Sequence, residues 1–304
     1  MIAIKKHKGV LMNFSETKTE LFPADKKTKL LVYEWLPEKE VKAVMIAIHG
    51  GMAHGGDWVT PALYFKQEGV ATYAPDLRWH GTYPNYNEKG KVFFHINSYD
   101  EYVADIHKLY SWVKERHPKS PIFIISHSNG ALIALKYGLT LAENADIKGF
   151  IVSSPWLENR VKIPAILKKI ARLIAGIHPT FAVKPPSLTD LLTHDENITA
   201  RHHRDEEIGL RGTAASAKLS VESEKTQAWV IENLKAWERF PVYAVLAGDD
   251  QLANVEGSKN ALNSMPSELL TLIVHEKNFH ENFNEVNREE TFKGIATWMQ
   301  KIIS

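Results

Sequence analysis

The chain has no cysteine in 304 residues, which excludes disulfides, a thiolate nucleophile and thiolate metal ligands together. It also lacks a charge excess: 37 basic against 36 acidic residues leave a formal charge of +1, so nothing global favours nucleic acid as a partner. No apolar run approaches the roughly 20 residues a membrane-spanning helix needs. Lys5, Lys6 and Lys8 near the start are not followed by an apolar run of the kind a secretory signal carries, so the chain is expected to be untargeted and cytoplasmic. No G-x-G-x-x-G or P-loop pattern occurs, and no cofactor is expected. The remaining composition, 44% hydrophobic and 24% charged with 17 Gly and 14 Pro, is that of a globular protein long enough for a large core.

Three β-rich runs come first, at 9–14, 30–35 and 41–48, the last almost wholly apolar as a strand buried on both faces would be. Beyond His49 the pattern alternates: helix 61–68, strand 70–74, helix 99–116, strand 122–126, helix 129–141, strand 147–153. Such alternation implies βαβ units and a mainly parallel sheet with helices on both faces. The rhythm stops after Pro155 and resumes at Pro241 with strand 242–246, helix 256–262, strand 269–275 and a closing helix 288–303. The expected organisation is therefore a core domain from 1–155 and 239–304 that carries an insertion at 156–238.

The strand at 122–126 runs into Ser126-His127-Ser128-Asn129-Gly130 and then into a helix. This is the context of a nucleophile elbow, a tight turn that lifts a serine above the sheet and needs small neighbours on either side. Serine needs a base, and the base needs a carboxylate to orient it. Ala247-Gly248-Asp249-Asp250 follows one later strand, and His275 through His280 follows the last, so acid and histidine come in the order this elbow expects. Asp250 is preferred as the acid because Leu252 can then pack inward, with Asp249 in reserve. His280 is preferred as the base because it lies in a loop, whereas His275 closes a strand. Five residues apart, those histidines sit ~500° around a helix and would not share a face as a zinc-binding pair does. His49-Gly50-Gly51-Met52 after the third strand supplies one oxyanion amide at Gly51, and Asn129 supplies the second.

These residues resemble a known family. Ile48-His49-Gly50-Gly51, the segment from Ala74 to Gly81, the segment from Ser98 to Asp105, the Ser128 elbow, Gly248 to Asp250 and His280-Glu281 are together similar to the monoglyceride lipase and lysophospholipase branch of the α/β-hydrolases. The family's Asp-x-Arg-Gly-His-Gly segment has Trp79 at a usual glycine, its elbow reads Ser-His-Ser-Asn-Gly, and its acid turn is one residue shorter. The resemblance implies an α/β-hydrolase fold, hydrolysis of monoacylglycerols, lysophospholipids or simple acyl esters, and an insertion that caps the acyl pocket. It also makes Asp76, Arg78 and His80 structural supports. A buried Asp76 needs a partner, and Arg78 is the expected one.

Within the insertion, Ile163, Ile166, Leu167, Ile170, Leu173, Ile174 and Ile177 recur at helical spacing with Lys168, Lys169 and Arg172 on the other side. The favoured expectation is a cap helix half buried on the core; the alternative is a basic amphipathic helix at 163–177 that lies on a lipid surface. Trp156, Trp229 and Trp237 are candidates to line an apolar pocket, though large aromatics more often fill cores. His194, Asp195, His202, His203 and Asp205 are spaced too irregularly for a metal site, and none is expected. Two competing functions remain: an amidase or aminopeptidase, with Glu158, Glu196, Glu206 or Glu207 holding a substrate amine, and a silent lipid-binding protein of the same fold.

Overall fold

A computed structural model describes residues 13–82, 94–184 and 186–304. Its core is an eight-stranded sheet. The elements in chain order are β1 (Lys18–Pro23), β2 (Lys29–Trp35), β3 (Ala43–Ile48), α1 (Val59–Gln67), β4 (Val70–Pro75), α2 (Tyr99–Arg116), β5 (Ile122–His127), α3 (Asn129–Gly138) and β6 (Ile147–Ser153). After them come α4 (Ala165–Ile177), β7 (Ala182–Val183), α5 (Glu196–Glu207), β8 (Ala215–Ser216) and α6 (Ala217–Asn233). The chain then returns to the sheet with β9 (Val242–Ala247), α7 (Val255–Leu262), β10 (Leu270–His275) and α8 (Arg288–Ile303). The sheet order is β1-β2-β4-β3-β5-β6-β9-β10, with β1/β2 and β2/β4 antiparallel and every later pair parallel.

The central strands are apolar throughout because both faces are covered: β3, β4 and β9 bury every residue. One face packs α2 and α3, whose Tyr99, Tyr102, Ile106, Leu109, Leu132 and Leu135 are buried, and the other packs Phe65 of α1 with Phe292, Ile295 and Met299 of α8. Local signals agree with the tertiary ones. Ser98 caps α2 by accepting from Asp100 N at 3.1 Å, acidic residues occupy its first turn and Lys114 and Arg116 its last. This is the mainly parallel, doubly covered sheet the alternating pattern calls for.

Two expectations about the sheet and its supports need correction. In the run 9–14, residues 9–12 lie outside the described region, and Asn13 and Phe14 are not strand. The edge strand is instead Lys18–Pro23, in which only Phe22 is buried, so it leaves no alternation to read. Nor does Arg78 pair with Asp76. Arg78 binds Asp105 through Nε (2.6 Å) and Nη2 (2.9 Å) and Asp25 through Nη2 (2.7 Å). Asp76, fully buried, is satisfied without a cation: it accepts from Gly55 N, Thr82 N and the Thr82 hydroxyl at 2.7–2.8 Å. Three hydrogen bonds replace the expected ion pair.

The segment between β6 and β9 departs from the ordinary half-buried helix. Only Ala175 of α4 is buried, while Ile166, Leu173 and Ile177 are 63%, 66% and 68% exposed. The side that packs is the small one, Ala171, Ile174 and Ala175, with Lys168 Nζ and the more exposed Arg172 Nη2 reaching Glu224 of α6 at 2.7 and 3.1 Å along its edge. Thus the expected cap helix packed by its apolar face is not what the structure shows.

The Arg78 arrangement generates a prediction for stability. Arg78→Met should lower unfolding free energy by about 3 kcal/mol in urea titrations, because it strands the 3%-exposed Asp105 carboxylate without its counter-charge.

Candidate active site

At the carboxyl end of β5 the backbone turns abruptly into α3, and Ser128 stands on the turn with φ 52° and ψ −117°. A non-glycine residue in this left-handed region costs on the order of 1–2 kcal/mol, so its surroundings must impose it. They do so from both sides. Ser128 N donates to Ser153 O at 2.9 Å, and Ser128 O accepts from Ala131 N, Leu132 N and Trp156 N at 3.0–3.1 Å. Gly130 lies against the carbonyls of Ile48 and His49 so closely that any Cβ would collide with them. Ser126, where the elbow pattern prefers glycine, is fully buried and points its hydroxyl at Ile151 O of the next strand, 3.0 Å away. Its extra group is absorbed into the sheet.

The loops after β9 and β10 bring two more side chains to this serine. His280 Nε2 is 2.8 Å from Ser128 Oγ, and His280 Nδ1 is 2.7 Å from Asp250 Oδ2. An ionised carboxylate can only accept, so Nδ1 carries the proton and the Nε2 lone pair faces the serine hydroxyl. Burial alone would raise the Asp250 carboxyl, yet His280 and the amides of Leu252 and Ala253 outweigh it and hold it below the ordinary carboxylate range. Asp249 is elsewhere: its side chain is half exposed and bonds Gln251 at 2.6 Å. His275 is also apart, with Nε2 on Thr291 Oγ1 at 3.0 Å.

The glycine loop after β3 is set by a buried histidine. His49 Nε2 accepts from Leu77 N at 3.0 Å, which places its proton on Nδ1, 2.7 Å from Gly50 O. Burial depresses His49 well below the usual histidine range, so the neutral form this tautomer requires is the stable one. With Gly50 O turned toward the His49 ring, the trans peptide aims Gly51 N–H the opposite way. A Cβ on Gly51 would lie 2.6 Å from Phe94, so no larger residue fits. Asn129 begins α3, its side-chain oxygen occupied by Tyr99 Oη at 2.7 Å. Among the described residues, the amides of Gly51 and Asn129 donate to no protein acceptor in the loop and turn hydrogen bonds.

A cavity of about 580 Å³ opens between α4, α6 and the chain after β6, lined by Trp156, Leu157, Val161, Ala171, Leu219 and Ala228 among others. A smaller one of about 170 Å³ adjoins Gly51 and Met52 and holds Lys184, Glu206 and Arg211. Of the three candidate tryptophans, Trp156 lines the large cavity. Trp237 is 2% exposed and donates to Phe240 O, a core position, and Trp229 lies under Lys136.

The five residues set aside as a metal cluster disperse onto separate partners: His194 on Glu285, Asp195 on Arg288, His202 on Glu281, His203 on Asp190 and Asp205 on His54. Sequence reading missed a different group. His54, Asp57 and Asp205 are buried with ligand-type atoms within 4.8 Å of one another. Arg211 already binds Asp57 Oδ2 at 2.5 Å, so a guanidinium supplies cationic charge there. Burial would raise Asp57, but Arg211 and, less closely, Arg201 hold it well below the carboxylate range, and Glu281 is likewise held low by its hydrogen bond from His202 and by Arg211 against its burial. No residue pattern signals this network, since its members come from 54–57, 201–211 and 281.

Asp57, Asp250 and Glu281 all have folded-state values below their unfolded values, so each stabilises the fold fully above the unfolded carboxylate range near pH ~4. That contribution is lost as pH falls through the folded values. His49, His80 and His127, whose folded-state values burial holds below the unfolded one, add to this from higher pH, because the unfolded chain takes up their protons once pH falls below about 6.5; melting temperature should therefore begin to fall there and drop more steeply below about 4, as scanning calorimetry can measure. Gly130→Ala should be more severe at any pH, preventing the elbow from forming and leaving Ser128 unreactive to a fluorophosphonate.

The model of the Hydrolase_4 family, described as serine aminopeptidase, S33, matches residues 39–287. Phospholipase YtpA of Bacillus subtilis is 26% identical over 273 residues, covering 90% of this chain and all of that protein. A monoacylglycerol lipase of Mycolicibacterium smegmatis is 24% identical over 88% of this chain and 92% of its own. Among solved structures, a monoglyceride lipase of Saccharomyces cerevisiae superposes with a TM-score of 0.78 at 19% identity, covering 94% of this chain and 95% of that one. A carboxyl esterase of Bacillus coagulans gives 0.79 at 19% identity, over 94% and 99%. With a family match across most of its length and the sheet and elbow described above, this chain belongs to the Hydrolase_4 family of α/β-hydrolases.

Proposed function

We propose that the protein is a serine hydrolase of carboxylic esters, with acyl glycerols, lysophospholipids or other acyl esters as substrates. The observation that carries this reading is the continuous contact Ser128 Oγ to His280 Nε2 to Asp250, at 2.8 and 2.7 Å, on a strained turn. Ser128 Oγ attacks the acyl carbon while His280 Nε2 takes its proton, and Asp250 stabilises the imidazolium that results. The amides of Gly51 and Asn129 receive the charge that develops on the carbonyl oxygen. The tetrahedral adduct expels the alcohol, which takes the proton from His280 and leaves the acyl group on Ser128. Water, deprotonated by the same imidazole, then releases the acid.

In this reading residues 156–238 are a cap, and the 580 Å³ cavity beneath α4 and α6 receives the acyl chain. The names of the relatives, a phospholipase and a monoacylglycerol lipase, support a lipid ester. An amine subsite is less favoured by what the four candidate carboxylates do. Glu196 and Glu207 face solvent, Glu158 accepts from Asn254 Nδ2 at 3.1 Å, and Glu206 is bonded by the Thr189 hydroxyl. A silent lipid binder has no use for the strained serine and its histidine.

The outward apolar stripe of α4 extends the proposal to where the substrate is met. Ile166, Leu173 and Ile177, with exposed Val161, Phe181 and Val183 nearby in sequence, present apolar surface whose natural cover is the acyl boundary of a lipid layer. No helix among the described residues is long and apolar enough to cross a membrane, so this contact would be peripheral.

Hydrolysis of monoacylglycerols and p-nitrophenyl esters should peak at medium or long chains, and Ser128→Ala should lower it at least ~10⁴-fold with the fold intact by circular dichroism. Serine-independent turnover, or none on any ester, would overturn the reading. Separately, a triple change of Ile166, Leu173 and Ile177 to Glu should weaken partitioning onto phosphatidylcholine vesicles by about tenfold or more, while turnover of a soluble short-chain ester stays within about twofold.

A further inference from the structure

His280 sits on a buried loop whose Phe283 packs against Trp58 and Phe292. A cavity of about 30 Å³ lies behind it, lined by His49, His127, Glu281, Phe283 and Asn284 among others. The loop is also tied by polar contacts, to the core through Asn282 Nδ2 on the Ser153 and Ser154 hydroxyls and on Val245 O, and to the segment between β6 and β9. Glu281 N donates to Leu192 O at 2.8 Å, the Thr193 hydroxyl donates to Asn284 O at 2.8 Å, and His194 Nδ1 meets Glu285 Oε1 at 3.0 Å.

Glu281, the residue directly after the base, receives the strongest of them. It is 7% exposed, and its Oε2 accepts from His202 Nε2 at 2.9 Å and from Asn284 Nδ2 at 2.7 Å. Arg211 Nη2 stands 3.8 Å from its other oxygen. Arg211 Nη1 lies 3.2 Å from His202 Nδ1, and a guanidinium can only donate, so His202 carries its proton on Nε2, the atom facing Glu281. The same Arg211 nitrogen binds Asp57 in the loop after β3. One guanidinium and one imidazole from the inserted segment therefore bridge the loop of the oxyanion glycines to the loop of the base.

We propose that Glu281 is a positioning residue for His280, held by His202 and Arg211, so that the base reaches Ser128 only while the inserted segment is docked. This rests on the hydrolase reading of Ser128, His280 and Asp250. A carboxylate that lost both partners would be buried unpaired, which favours swinging it out to water and taking its neighbour His280 along.

The test compares His202→Leu, His202→Gln and Glu281→Gln. Glutamine at 202 can present an amide N–H near the position of the imidazole Nε2, and leucine cannot. Turnover of p-nitrophenyl butyrate per active site titrated with a fluorophosphonate should fall about 10–100-fold in H202L with KM within about twofold, and H202Q should recover most of it. Glu281→Gln, close in shape to the native residue, should show a smaller loss in kcat of the same kind. The low-field proton resonance of the His280–Asp250 hydrogen bond should broaden or vanish in H202L and persist in H202Q. Wild-type kcat and an unchanged resonance in folded H202L or, should that variant not fold, in E281Q would overturn the proposal. Because the resonance needs no substrate, failure of the ester-hydrolase reading and failure of positioning are told apart: the first removes turnover in the unaltered protein, the second leaves the resonance indifferent to residue 202.

Discussion

The structure depends on how closely α3 enters behind β3. Gly130 touches the carbonyls of Ile48 and His49, and that approach forces Ser128 into its left-handed conformation between two strands. Everything at the site inherits its position from this contact. The serine hydroxyl is raised above the sheet, the first amide of α3 is turned outward, and the glycine loop after β3 lies beside it because it continues the strand that Gly130 presses on. Gly50 keeps the same clearance from the other direction, where a Cβ would sit 3.2 Å from the His127 ring. The strain at one residue is thus the local cost of bringing three backbones within contact, and the hydrogen bonds of Ser128 N and O to Ser153, Ala131, Leu132 and Trp156 offset it.

Around that turn, burial sorts the histidines by role. His49, His80 and His127 are enclosed, with burial lowering His80 to about 4 and His127 to about 3, and neither has a carboxylate hydrogen bond. They serve as neutral, directional hydrogen-bonding or packing groups: His49 orders the glycine loop, and His127 packs edge-on to His280 with ring centroids 4.7 Å apart. His280 alone among these four is paired with an anionic partner that accepts a hydrogen bond from its Nδ1–H and stabilises the imidazolium. A proton arriving near Ser128 has one favourable place to rest.

What the sequence made legible was what a strand end can carry. The elbow, acid and histidine stand just past β5, β9 and β10, so the order of apolar runs placed them on one edge before any distance was known, and the structure brings Ser128, Asp250 and His280 into contact there. The choice of Asp250 over Asp249 rested on Leu252 packing inward, yet Leu252 is only half buried, and what turns Asp250 inward is the pair of amides of Leu252 and Ala253 that its Oδ1 accepts. Long-range pairing was not legible. Asp76 and Arg78 are two residues apart and looked like partners, but strand alternation does not govern the turn after β4, and Arg78 reaches instead to Asp25 and Asp105. The edge strand β1 escaped because a strand with one buried side chain has no period. The network through Asp57, His202, Arg211 and Glu281 escaped because nothing in the spacing of those residues records that they meet.

The orientation of α4 was illegible for another reason: periodicity shows that a helix has two faces but not which one meets the protein. Here Ala171, Ile174 and Ala175 occupy the inner side with the Lys168–Glu224 and Arg172–Glu224 pairs at its edge, leaving Ile166, Leu167, Ile170, Leu173 and Ile177 outside. Partly exposed pairs of this kind contribute little, of order 1 kcal/mol each at most, whereas an exposed stripe of large apolar residues forgoes more than that per residue. The segment between β6 and β9 divides accordingly. Its α5 side is fastened to the His280 loop by the buried contacts of His202 and Arg211 with Glu281, and its α4 side carries an apolar stripe that no residue of the described chain covers.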